Sequence, residues 1–190
     1  MSRAELAGDK ATPCGMDIER VFNAVFVDSH NTILIGGAAE PYYQPADVSA
    51  PQHRIYYRED FVSSSLHEIA HWLVAGPERR LLPDWGYWYA PDGRDAAQQQ
   101  QFERLEVKPQ ALEWLLHISC GLPFRVSLDN LGEHAGDGAT FKDKVYAQLQ
   151  QYLQQGVNDR CATLCNAFAA AFGSDWQLNA WQVSRSELDK

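Results

Sequence analysis

Between residues 17 and 26 the apolar positions Ile18, Val21, Phe22, Val25 and Phe26 recur at i, i+3, i+4, i+7 and i+8, the spacing of a helix with one buried face. The period then changes. Residues 31–35 and 54–57 are rich in β-branched or aromatic side chains and are bounded by Gly36-Gly37 and Pro51, which predicts two short strands. The three-proline stretch 41–53 between them reads as a loop. A helix is expected to begin near Asp60, whose carboxylate can cap it, and to run to Ala75, where Gly76-Pro77 supplies a stop. Residues 78–93 are irregular, carry Trp85, Tyr87, Trp88 and Tyr89, and close on the turn Pro91-Asp92-Gly93. A second long helix should follow from Asp95 to about Cys120, with Pro109 kinking or splitting it after Lys108. Residues 130–138 read as a surface loop. Two further helices are marked by Phe141, Val145, Leu149, Tyr152 and Leu153, and by Leu164, Cys165, Phe168 and Phe172.

These elements predict an α+β fold, a mainly helical single domain with a small β-sheet. Its 190 residues are enough for one sizeable core. Residues 1–16, which lack an apolar pattern, are expected to be a flexible N-terminal extension, and residues 17–190 a single metal-binding catalytic domain. Apolar residues at 45% and charged residues at 22% fit a globular chain and exclude disorder. The net charge of −9 repels a nucleic-acid backbone, so no direct nucleic-acid partner is expected. With neither a signal-peptide pattern nor a run of about 20 apolar residues, the chain is expected to be cytoplasmic and without a membrane partner. Cys14, Cys120, Cys161 and Cys165 form no CxxC pair and have no nearby histidine to complete a metal site, so they read as small core residues rather than ligands or disulfides.

The chemistry lies in the first long helix. His67 and His71 stand four residues apart, so their imidazoles project from one face and can converge on one ion, while Glu68 points about a quarter-turn away. This is the HExxH pattern, and it predicts a zincin-like HExxH metal helix. A third ligand is needed from an element packed across this helix. The second long helix offers Glu103 and Glu106. Burial favours Glu106, which sits between Leu105 and Val107, without excluding Glu103, and His117 lies too far along. Two histidines and one glutamate fit both a catalytic zinc of peptidases, with Glu68 as base, and the facial triad of non-haem Fe(II) oxygenases. A purely structural zinc is disfavoured because it usually takes four protein ligands, often Cys, and no cysteine lies near the motif.

The segments Ser65-Leu66-His67-Glu68-Ile69-Ala70-His71-Trp72, Gly86-Tyr87-Trp88-Tyr89, Pro91-Asp92-Gly93-Arg94-Asp95 and Phe102-Glu103-Arg104-Leu105-Glu106-Val107-Lys108-Pro109-Gln110-Ala111-Leu112 resemble, in this order, the bacterial elongation factor P hydroxylases. The likeness extends from about residue 17 to about residue 155, and the last three segments are far more specific than HExxH. It implies a metal-dependent oxygenase that hydroxylates the lysine of translation elongation factor P after another enzyme has attached a β-lysyl group. The resemblance also implies that the third ligand is the glutamate before Val107-Lys108-Pro109, namely Glu106. One divalent ion, expected to be Fe(II), and O2 as co-substrate follow from that reading, since zinc has no accessible redox step. Glu68 then takes a supporting or proton-transfer role. Trp85, Tyr87, Trp88 and Tyr89 are candidates to line the path of the ammonium-bearing side chain, with Arg94 a further candidate contact. The competing reading is an HExxH zinc metallopeptidase with the same three ligands.

Overall fold

The computed structural model describes residues 12–84, 96–127, 138–177 and 182–189. Helix α1 (Gly15–His30) leads through Asn31, in the left-handed region at φ 50°, into strand β1 (Thr32–Ala38). Strands β2 (Tyr42–Gln44) and β3 (His53–Arg58) complete a sheet of order β1-β3-β2. β1 pairs parallel to β3 from Thr32↔His53 to Ile35↔Tyr56, and β2 runs antiparallel along the other edge of β3. Then come α2 (Val62–Val74), a 3-10 turn at Arg79–Leu81, α3 (Ala96–Ser119), α4 (Ala139–Gln155) and α5 (Asp159–Phe172), with a second 3-10 turn at Arg185–Asp189. Five helices and one three-stranded sheet among the described residues make a mainly helical α+β domain, as the hydrophobic periods predict.

The core is built where the apolar stripes meet. Leu66, Ile69, Ala70 and Leu73 of α2 are essentially inaccessible to solvent, and burying each of the larger ones stabilises the fold by about 1.5–3 kcal/mol. Phe22 and Phe26 of α1 meet Trp72 edge-on, with ring centroids 5.4 and 4.9 Å apart. On its other side α2 packs against α3, which also contacts α4 and α5. α2 is therefore held between the sheet, α1 and α3.

Four expectations need correction. β2 lies inside the predicted loop 41–53: Pro41 and Pro45 limit it to three residues, too few to show a period, and its place comes from pairing with β3. α2 starts at Val62 after Phe61 and has no side-chain cap; the Asp60 carboxylate instead lies against Gly15, where a Cβ would collide with it. Of the kink or split expected at Pro109, the split does not occur: α3 continues through it, since every residue from 109 to 120 is buried, and that packing outweighs the roughly 3 kcal/mol cost of an interior proline. Leu105, expected to bury its part of α3, is 39% exposed. Of the predicted loop 130–138 only Gly138 falls within the described residues.

Candidate metal centre

His67 and His71 follow Leu66 and Ala70 by one position, which turns them about 100° around α2 from the core stripe and toward α3. Their rings are 4.6 Å apart between centroids, and the two Nε2 atoms are 3.0 Å apart. Across from them, Glu106 of α3 places Oε1 3.3 Å from His71 Nε2 and Oε2 3.7 Å from His67 Nε2. Glu106 is 3% exposed, whereas the histidine side chains keep about a fifth to a quarter of their surface open. The cluster is thus closed on the α3 side and accessible on another.

The spacing suits a metal ion. Metal–ligand bonds of about 2.0–2.2 Å place neighbouring donors roughly 3 Å apart at a right angle and roughly 3.4 Å apart in a tetrahedron. The observed 3.0 and 3.3 Å fall in that range and 3.7 Å lies slightly beyond it, and all three residues offer ligand atoms within 4.8 Å of one another. Electrostatics point the same way. Burial works to raise the pKa of Glu106, but the hydrogen bond from His71 and the nearby imidazoles carry it down to about 2. Burial likewise works to lower that of His67, but Glu113 and Glu106 lift it to about 10. Carboxylates that favour a positive charge on His67 this strongly would also favour a metal cation among the three side chains.

Glu103, the other candidate, pairs with Lys144 on α4 at 3.5 Å. α3 instead adds supports that spacing arguments about Glu103 and Glu106 did not reach. Gln110 donates to Glu106 Oε2 at 3.4 Å and exchanges hydrogen bonds with the backbone of Ser127 at 2.9 and 3.1 Å. Glu113 Oε2 lies 2.8 Å from His67 Nδ1, and its Oε1 lies 3.7 Å from His117 Nε2. His117 is buried and distant from the three donors by virtue of Glu113 lying between, in keeping with its exclusion as a ligand. Glu106, Gln110, Glu113 and His117 are all buried polar residues. Their spacing of four, three and four follows one helical face, so a polar stripe within an otherwise apolar half-helix was the available sequence signal.

Glu68 is half-buried, and burial pushes its carboxyl pKa up. It lines a pocket with His71, Tyr43, Ile55, Trp72, Ala75, Arg79, Arg80 and Asp84. Arg79 pairs with Asp84, and Arg80 donates to the Ala75 carbonyl at 2.7 Å, so the basic pair is tied into the pocket wall. Trp85, Tyr87, Trp88, Tyr89 and Arg94 lie outside the described residues, as do Asp92 and Asp95. Cys120, Cys161 and Cys165 are buried in the core as free thiols.

Residues 21–183 match the family described as Elongation factor P hydroxylase. A relative from Haemophilus influenzae, named Elongation factor P lysine hydroxylase, is 47% identical over 163 residues, which cover 86% of this chain and 92% of the relative.

Proposed function

The chain belongs to the elongation factor P hydroxylase family, and we propose that it hydroxylates a lysine side chain of translation elongation factor P at a divalent metal held by His67, His71 and Glu106. The observation that carries the site is the approach of these three side chains from two packed helices, with donors 3.0–3.7 Å apart. Two imidazoles and one carboxylate leave coordination positions open, and Fe(II) in such a set supplies the O2 chemistry that oxygenates an unactivated C–H bond. This makes the protein an oxidoreductase of the monooxygenase type, in which one atom of O2 would enter the C–H bond and the other leave as water with two electrons from an external reductant, working in the cytoplasm where its substrate takes part in translation. The family gives no support to the peptidase alternative.

The remaining work falls to the chain. Gln110, braced on Ser127, holds Glu106 toward the histidines. Glu68 stands on the wall of the pocket beside His71 and is suited to hold or pass a proton at its carboxylate, whose neutral form burial favours. The substrate is the lysine already extended by a β-lysyl group, a long chain bearing ammonium groups. Trp85, Tyr87, Trp88 and Tyr89 follow directly on Asp84 of the pocket wall. Cation–π contacts from this segment, at about 0.5–2 kcal/mol each, would draw that chain toward the metal, with Arg94 as a further contact.

Metal analysis of protein purified without air tests the assignment together with a comparison of cells. About one iron per chain is expected, and elongation factor P from cells lacking the gene should lack one oxygen atom. Zinc as the stoichiometric metal, with metal-dependent cleavage of unstructured peptides lost in Glu68→Gln, would restore the peptidase reading.

A further inference from the structure

An ionised carboxylate is costly to bury unless it is paired. α3 nonetheless buries two on one stripe, Glu106 and, seven residues further along, Glu113 at 5% exposure. Glu106 faces both histidines of α2. Glu113 meets only the far side of one of them, with Oε2 2.8 Å from His67 Nδ1. Its second oxygen lies 3.7 Å from His117 Nε2. His117 is itself buried and stands edge-on to Phe124, and neither ring nitrogen has a hydrogen-bond partner among the described residues. Glu113 is thus enclosed between two imidazoles and away from water.

We propose that Glu113 is a positioning residue of the metal centre: it accepts the Nδ1 proton of His67, fixing the tautomer and plane of that ring and leaving Nε2 unprotonated toward His71 and Glu106. The inference rests on the metal site proposed above and extends it to a residue that binds no metal. A neutral imidazole carries one proton, on either nitrogen, and only the Nδ1–H form can both satisfy a carboxylate at Nδ1 and present a lone pair at Nε2. Rotation of the ring would break the 2.8 Å contact and carry Nε2 away from Glu106. His117, packed behind, keeps the Glu113 carboxylate from turning out of this arrangement. The same contact makes Nε2 a stronger donor, because a carboxylate at the remote nitrogen raises the basicity of the ring.

Zn(II) affinity, measured by chelator competition on the full chain, tests this with Zn(II) as a diamagnetic probe. Glu113→Ala should weaken binding about 10- to 100-fold. Glu113→Gln, whose amide oxygen still accepts the Nδ1–H, should fall between that variant and the wild type. Proton NMR of the Zn(II)-loaded wild type should show a downfield, slowly exchanging imidazole N–H that is missing in both His67→Ala and Glu113→Ala. Where Glu113→Ala does not fold, Glu113→Leu fills the volume without an acceptor and gives the same reading. Wild-type affinity with retention of that resonance in the Ala or Leu variant overturns the proposal. If His67→Ala still loses stoichiometric binding in that assay, the ligand set stands without Glu113. If His67→Ala also binds as the wild type does, the ligand set itself falls and the proposal falls with it.

Discussion

A histidine holds a metal only through a nitrogen that carries no proton, and a carboxylate only when it is ionised and aimed, so the site depends on what stands behind each ligand. His67 and His71 were legible because a spacing of four on a helix fixes their common face before any fold is known. Glu106 was favoured for a reason that holds only in part. Its neighbours Leu105 and Val107 do not share its face, and Leu105 is exposed. What buries Glu106 is its alignment with Gln110 and Glu113 along the stripe that meets α2. Glu103 continues the same spacing one turn earlier but reaches α4 rather than the histidines, in a partly exposed ion pair with Lys144, a contact worth about 0–1 kcal/mol. His67→Ala, His71→Ala and Glu106→Ala should therefore each abolish stoichiometric metal binding in equilibrium dialysis, whereas Glu103→Ala should bind as the wild type does. Full occupancy in Glu106→Ala with loss in Glu103→Ala would move the third ligand.

The elements that place these residues differ in how plainly the sequence announces them. α1, α2, α4 and α5 carry apolar repeats long enough to reveal the helical period, and each observed helix contains the apolar positions that marked it, with α2 close to its expected bounds. β2 has three residues and no period of its own, and the continuity of α3 through Pro109 is decided by burial of the whole segment that follows. The anchoring of α2 at its C-terminal end was likewise hidden, since it comes from a residue about ninety positions away. Arg160 of α5 donates to the carbonyls of Trp72, Leu73 and Ala75 at 3.0–3.1 Å and lies 4.4 Å from the Trp72 ring centroid. Asn158 adds a bond to the Leu73 carbonyl at 3.0 Å. A cation at the end of a helix satisfies terminal carbonyls and opposes the helix dipole. Arg160→Ala should cost about 1.5–3 kcal/mol of stability, read as a lower urea midpoint at unchanged slope. A shift below about 0.5 kcal/mol, the range of an ordinary surface substitution, would show that this end of α2 is held by apolar packing alone.

In the whole molecule, the core and the site are separate constructions that share α2. Leu66, Ile69, Ala70 and Leu73 join the aromatic and aliphatic interior from α1, β3, α3 and α5, while His67 and His71 look toward a polar stripe embedded in it. An excess of nine acidic residues disfavours nucleic acid and suits the cationic substrate side chain proposed above. Among the described residues no helix is long and apolar enough to cross a membrane. The domain-level pattern was legible in sequence because it rests on period and composition. The support around the ligands was not, because it depends on which faces of α2 and α3 meet. On the proposed function, a metal held by His67, His71 and Glu106 oxygenates a lysine of elongation factor P. The most direct test is the intact mass of β-lysylated elongation factor P after incubation with iron-reconstituted protein, O2 and a reductant. A gain of one oxygen atom, absent with His67→Ala and reduced when the factor lacks its β-lysyl group, is the predicted result. An unchanged mass under a range of reductants, with iron confirmed in the protein, would contradict it.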